Sequence, residues 1–116
     1  MKTALNKFIN KTGIYNMEDL KKDYYAKTSG HWFDAETLRF FQCRISEDLY
    51  YRPSTNIIYF VTSEKQRSFH FEHPREYSVR AYNTTNGEID TVGEFGAHKT
   101  LAQAKREAKL LSDENL

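Results

Sequence analysis

Two histidines and a carboxylate stand close together in His70-Phe71-Glu72-His73, and these residue types can bind a metal. On an extended chain, residues three positions apart point to opposite faces, so His70 and His73 would converge only in a turn. A catalytic metal usually needs three protein ligands, and the other histidines, His31 and His98, lie far off in the sequence. We therefore expect no bound metal.

The single cysteine, Cys43, excludes an intrachain disulfide and any zinc site built on several thiolates. A lone cysteine is more often a small buried hydrophobe than a reactive thiol, and we expect the former. Glu72 with Glu76, and Asp34 with Glu36, have the residue types of a general acid and base. Nothing in the sequence indicates that their separation or burial suits that role.

The sequence contains no glycine-rich phosphate loop, no nucleophile elbow and no HExxH motif. Lys105, Arg106 and Lys109 are similar to a basic helix end that grips phosphates, but Glu107 lies among them, so a solvated helix face explains them better. The sequence thus predicts a protein without enzymatic activity and without a cofactor.

The charges nearly balance, with 17 lysines and arginines against 16 acids and a formal net charge of +1. A protein that binds a polyanion usually carries a clear basic excess, so we expect weak and salt-sensitive binding of nucleic acid at most. No apolar run approaches the ~20 residues that span a membrane. The N-terminus lacks the continuous apolar stretch of a secretory signal, and we expect a cytoplasmic protein.

The chain has 116 residues, of which 39% are hydrophobic and 15% aromatic, and this composition supports one domain with a packed core. The helical periodicity of residues 1–42 predicts a short helix over residues 3–11. Asn16 is the expected N-cap of a second helix, and Asp34 begins a third. The residues of the second helix expected to face inward are Met17, Leu20 and Tyr24.

From residue 43 to residue 95 the apolar period is two, which predicts four strands. The first runs from Cys43 to Tyr51, and the second, IIYFVTS, is apolar on both faces and therefore central. Its residues expected to be buried are Ile57, Ile58, Tyr59 and Phe60. Asn86-Gly87 marks a tight turn between the last two strands, while the conformation of residues 64–76 is left undecided.

A C-terminal helix is predicted over residues 99–112, where Thr100 and Gln103 have the spacing of a capping box. Its apolar stripe consists of Leu101, Ala104, Ala108 and Leu111. The expected fold is therefore α+β, with short N-terminal helices, a four-stranded antiparallel meander and a C-terminal helix packed on the sheet.

Four stretches, SGHWFDAETLRFFQCRI, IIYFVTSEK, EYSVRAYNTTNGEIDTVGEF and TLAQAKREAK, resemble a family of small proteins of unknown function. The family is encoded in phages, prophages and mobile elements of Gram-positive bacteria, and the resemblance covers residues 29–111. Its motifs are structural rather than catalytic. The resemblance implies a bacterial host cell, in which small accessory proteins block a defence system or a host enzyme, as anti-CRISPR proteins do.

The strand pair and the Thr-capped helix are also similar to AP2-like and integrase-arm DNA-binding domains, in which a three-stranded sheet enters the major groove. Arg67, Arg75, Arg80 and Tyr82 would then face DNA. The acids of the returning strand oppose this role because they would lie beside phosphate; they are Glu88, Asp90 and Glu94.

Two functions from different classes are therefore expected. The first is a non-catalytic inhibitor of a host protein, with a nuclease effector of a defence system as one candidate partner. The second is a DNA-binding module. Tyrosine and arginine concentrate binding energy at protein interfaces. The predicted partner-binding residues are Arg67, Arg75, Tyr77, Arg80 and Tyr82. Neither the partner nor the oligomeric state is readable from the sequence.

Overall fold

The computed structural model of the protein describes residues 12–65 and 73–114. Over these ranges the chain has the predicted α+β fold. The helices described are α1 (Met17–Lys27), α2 (Ala35–Arg39) and α3 (Leu101–Ser112). The strands described are β1 (Arg44–Ile45), β2 (Tyr50–Arg52), β3 (Ile57–Glu64), β4 (Glu76–Asn83) and β5 (Ile89–Val92). The helix predicted over residues 3–11 lies outside the described residues.

The central strand of the sheet is β3, as predicted. It pairs antiparallel with β4 along its full length, from Ile57 opposite Asn83 to Glu64 opposite Glu76. Strand β5 then pairs antiparallel with β4, so β3, β4 and β5 form a meander. The same pairing describes the two ends of the segment 64–76, whose conformation the sequence did not decide. Strand β3 continues to Glu64, and β4 begins at Glu76.

The sheet has five strands in the described residues, so the prediction of four is wrong in number. The expected first strand, Cys43 to Tyr51, is interrupted and forms β1 and β2, which both pair with β3. Arg44 lies opposite Ser63, and Tyr50 lies opposite Tyr59. Between these two pairs, the edge has five residues, 45–49, where β3 has three, 60–62. The two extra residues form a bulge on this edge, which a pattern of strict alternation conceals.

One face of the sheet, the α1 face, packs against α1 and the segment that follows it. Ile58 and Phe60 of β3 are buried there with Tyr82 of β4. Asn16 caps α1 by accepting the N–H of Asp19 at 2.9 Å, which confirms the predicted start. The inward residues of α1 are in the same core cluster, as expected; they are Met17, Leu20 and Tyr24.

The opposite face, the α3 face, packs Val61 and Val79 against Ala104 and Ala108 of the C-terminal helix. Thr100 accepts the N–H of Gln103 at 3.2 Å, as the capping prediction requires. Leu101 was expected in the buried stripe but is 39% exposed. It stands in the first turn of α3, where it lines a surface groove instead of entering the core.

Both faces of β3 are covered, as predicted, but not evenly. Ile58 and Phe60 are buried, whereas Ile57 and Tyr59 are half-buried, so the strand is covered less completely on the α3 face than on the α1 face. The buried residues of α3, Ala104 and Ala108, cluster with Val61 and Val79 farther along the strands. Among the helices of residues 12–65 and 73–114, none combines the length and apolarity needed to cross a membrane.

The turn between β4 and β5 depends on Gly87, which has a φ of +79° and packs against α1. A Cβ at this position would lie 2.9 Å from the Cβ of Lys27 and 2.9 Å from the Cγ2 of Thr28. We expect Gly87→Ala to lower the free energy of unfolding by roughly 2 to 3 kcal/mol in a urea titration, because contact adds to backbone strain.

Gly93→Ala is the matched control for this prediction. Gly93 also has a positive φ, of +70°, but a Cβ there would meet nothing within 4 Å. Its substitution should therefore show the backbone strain alone, about 1 to 2 kcal/mol. Equal losses in the two variants would contradict the close packing of α1 on this turn.

Candidate functional site

The structure removes Tyr82 from the predicted contact surface, because its side chain is fully buried in the core. The Tyr82 hydroxyl donates a hydrogen bond to the carboxylate of Asp23 in α1. Burial raises the pKa of this hydroxyl above its ordinary value, and the hydrogen bond to Asp23 raises it further. Tyr82 therefore ties β4 to α1, and a partner protein cannot reach it in this conformation.

The other predicted contact residues do not form one site. Side chains alternate along a strand, so Tyr77 lies on the α3 face, while Arg80 lies on the α1 face. Arg75 donates to the carbonyl of Gln42 and to the hydroxyl of Ser63, both at 2.9 Å, and holds the end of the sheet together. Arg67 lies outside the described residues. The structure thus separates Arg75 and Tyr77 from Arg80.

Arg80 is the centre of a buried polar network at the end of the α1 face. Its Nε donates to the hydroxyl of Thr62 at 2.9 Å, and its Nη1 donates to the hydroxyl of Thr91. Its Nη2 donates to Oε2 of Glu64 at 3.0 Å. The side chains of this ion pair are only 10% and 2% exposed, respectively, so Arg80 and Glu64 neutralise each other away from water.

The carboxylate of Glu64 is held by three donors. Besides Arg80, the hydroxyl of Ser78 donates to Oε1 at 2.9 Å, and the thiol of Cys43 donates to Oε2 at 3.5 Å. Burial raises the pKa of the Cys43 thiol to about 12, and the negative charge of Glu64 adds to this rise. The thiol therefore stays protonated at neutral pH, although Cys43 is half-buried and hydrogen-bonded and not the fully buried hydrophobe expected.

Two aromatic rings contact the Arg80 guanidinium. Its central carbon lies 5.3 Å from the ring centroid of Trp32 and 5.5 Å from that of Phe95. Phe95 in turn contacts Phe41, with ring centroids 5.5 Å apart, and Phe41 packs edge-on against Phe40 at 4.5 Å. A cation over an aromatic face is attracted to it, so the rings fix the plane of the guanidinium.

This network forms the floor of an open cavity of about 570 Å³, which we call the Arg80 cavity. Apolar side chains supply most of its walls, and its volume lies within the range typical of ligand sites. Phe40 stands at the cavity and is 71% exposed. The residues lining it are Trp32, Glu36, Thr37, Leu38, Phe40, Phe41, Cys43, Glu64, Arg80 and Phe95.

A second polar cluster lies on the surface near α2. Asp34 accepts hydrogen bonds from the hydroxyl of Tyr25 and from Nδ1 of His31, the latter at 2.8 Å. The bond from Tyr25, and then that from His31, lowers the pKa of Asp34. The same bond to Asp34 raises the pKa of Tyr25 to about 12, so its phenol stays protonated at neutral pH. This cluster lies at the surface, and none of its three residues lines the Arg80 cavity.

Two of the three residues considered as metal ligands are not described by the structure. His70 and Glu72 lie outside the described residues, while His73 is half-buried just before β4. Within residues 12–65 and 73–114, no group of three or more histidine, cysteine, aspartate or glutamate side chains is arranged to hold a metal ion. Asp34 and Glu36, considered above as a possible acid and base, have different surroundings. Asp34 is hydrogen-bonded to Tyr25 and His31, whereas Glu36 lines the Arg80 cavity.

Sequence reasoning did not select the side chains that build the cavity around Arg80. Trp32 and Phe95 are far apart in the chain, and their meeting depends on the tertiary fold. A partial signal was present for Glu64, since it lies four positions after Phe60 and therefore on the same face of the same strand. An acid and a base at one end of the same sheet face can be expected to pair.

Fold and site together define a small α+β protein whose antiparallel meander is covered by helices on both faces and ends in an aromatic cavity. The chain belongs to a family of unknown function, DUF7447, whose model matches residues 16–109. The matched span includes every residue that lines the Arg80 cavity. No curated protein and no solved structure matches the chain.

Proposed function

We propose that this is a non-catalytic protein that binds another protein through the Arg80 cavity and thereby inhibits it. The supporting observation is the cavity itself, a largely apolar concavity of about 570 Å³. Two of its residues, Phe40 and Phe95, are 71% and 39% exposed. Large apolar side chains exposed beside a concavity mark interaction sites, and aromatic anchors supply much of the binding energy of protein interfaces.

The proposed partner is a host protein, with a nuclease effector of a bacterial defence system as the leading candidate. The support for this step is the resemblance to small accessory proteins of phages and mobile elements. An inhibitor of this kind would act by covering a surface of its target in the cytoplasm of the host cell. It would need no catalytic group, cofactor or membrane attachment of its own.

DNA binding through the sheet, the alternative function, has less support. A sheet that enters the major groove must present one free face. Here β3 and β4 pack in one cluster with α1 and in another with α3. The three acids that oppose phosphate contacts lie on or beside β5; they are Glu88, Asp90 and Glu94.

The proposal predicts that one exposed ring of the cavity dominates partner binding. A host protein captured from lysate on the purified protein, once identified, should bind Phe40→Ser at least about thirtyfold more weakly than wild type in calorimetry. Leu110→Ser is the matched control, because Leu110 is also exposed, at 46%, but lies on α3 across the sheet. Its affinity should equal that of wild type.

Equal losses in Phe40→Ser and Leu110→Ser, or capture of no protein, would contradict the proposal. A titration of labelled duplex at about 150 mM salt tests the alternative, because binding through phosphates weakens steeply as salt rises. Submicromolar DNA affinity that is abolished by Arg75→Glu would favour a DNA-binding module.

A further inference from the structure

We infer that the Arg80 cavity selects an uncharged aromatic side chain that carries an acceptor oxygen, as a tyrosine of the partner protein does. The inference depends on the proposed function for the source of this group, a protein. Its chemistry is argued from the floor and walls of the cavity, which set which groups can enter.

Arg80, on the floor of the cavity, has hydrogen-bond donors that its contacts within the protein do not use. A guanidinium carries five N–H donors in one plane. The three contacts of Arg80, with Thr62, Thr91 and Glu64, use one donor each on Nε, Nη1 and Nη2. These contacts leave one N–H on Nη1 and one on Nη2 unused, and Arg80 lines the cavity, so we assign these two donors to its occupant. An occupant without an acceptor would cover these donors and leave them unsatisfied, which costs binding energy.

The charge of the floor excludes an anionic occupant. Glu64 already balances Arg80 at 3.0 Å, and Cys43 and Ser78 donate to its oxygens. A carboxylate brought to the free N–H groups would lose its hydration and would lie near Glu64 without a cation of its own. Glu36 adds another negative charge to the lining. A neutral oxygen can accept the same hydrogen bonds without these costs.

The walls favour a ring. The rings of Trp32 and Phe95 both lie against the guanidinium, and Phe41 packs beside Phe95 at 5.5 Å between centroids. Aromatic groups gain energy from offset or edge-to-face contacts with such rings, beyond the area they bury. A phenol enters with its ring against these walls and its oxygen toward Arg80.

Small probes test this chemistry without the partner. Trp32 is the single tryptophan of the chain, so its indole N–H gives one NMR signal that reports on the cavity. We would titrate the full chain with p-cresol, toluene and p-toluate, which share a ring but differ in acceptor and charge. p-Cresol should shift the Trp32 signal and bind about tenfold more tightly than toluene, and p-toluate should bind at least about tenfold more weakly than p-cresol.

Two variants separate the donors from the walls. Arg80→Lys replaces the planar guanidinium by one ammonium group. The variant should therefore bind p-cresol no more tightly than toluene. Phe95→Leu removes one ring from the wall at a position that is 39% exposed, and should weaken p-cresol and toluene by similar factors. Leu110→Ser, across the sheet, should change neither.

The inference is overturned if p-toluate binds as tightly as p-cresol, or if no probe moves the Trp32 signal. Its failure is distinguishable from that of the proposed function. A captured partner that is lost on Phe40→Ser, together with probes that are not discriminated, would leave the proposed function in place. If the cavity discriminates the probes but no partner is captured, the inferred chemistry of the cavity stands and the proposal of a protein partner fails.

Discussion

Replacing Phe60 with alanine is expected to lower the free energy of unfolding by about 3 to 5 kcal/mol. Phe60 is fully buried at the centre of β3, with its ring centroid 5.8 Å from that of Trp32 and 6.4 Å from that of Phe33. Alanine would lose the transfer energy of the ring and leave a cavity that the surrounding rings cannot close. Urea denaturation followed by circular dichroism measures the loss.

Phe40→Ala is the control of the same chemistry, because Phe40 is 71% exposed. Its loss should stay within about 0.5 kcal/mol, as is usual for surface substitutions. If Phe60→Ala is no less stable than Phe40→Ala, β3 does not form the core of the α1 face. Such a result would also remove the support that Phe60 gives to Trp32 at the Arg80 cavity.

Local signals in the sequence predicted most of the fold. The caps at Asn16 and Thr100 are satisfied by the residues expected, and the doubly apolar run from Ile57 is the central strand. These features depend on neighbours within a few positions in the chain. The bulge between β1 and β2 was not predictable from the faces of the strand, because two extra residues leave Ile45, Leu49 and Tyr51 at the same core cluster.

The site was harder to predict because it depends on strand register. Glu64 and Arg80 meet because β3 pairs with β4 across residues 65–75, and nothing local determines the pairing across that connection. The alternation of side chains along a strand, however, would have shown that Tyr77 and Arg80, three positions apart, point to opposite faces of β4. Choosing contact residues by type, without their faces, therefore selected Tyr82, a core residue.

In the proposed site, the position of Arg80 connects stability with recognition. Glu64 and the two threonines use three of its donors, which fixes the guanidinium, and the rings of Trp32 and Phe95 pack against it. A binding group held by packing and by hydrogen bonds loses little freedom when its ligand arrives. The same arrangement makes the ion pair costly to break, because each partner is buried.

Arg80→Met should therefore destabilise the protein by about 3 to 5 kcal/mol, the usual cost of leaving one member of a buried pair without its partner. Methionine fills much of the same volume but cannot pair with Glu64, whose side chain is only 2% exposed. Thr62 and Thr91 lose their donor as well. Urea denaturation at pH 7 measures the loss.

The double variant Arg80→Met/Glu64→Gln identifies the cause of that loss. It removes the unpaired charge and keeps an oxygen for the Ser78 hydroxyl, so it should recover at least about 2 kcal/mol of the single variant's loss. Lys105→Met is the surface control, because Lys105 pairs with Asp48 at 2.8 Å with side chains 33% and 58% exposed, and it should cost at most about 1 kcal/mol. A double variant no more stable than Arg80→Met would show that lost packing, and not the charge of Glu64, causes the instability.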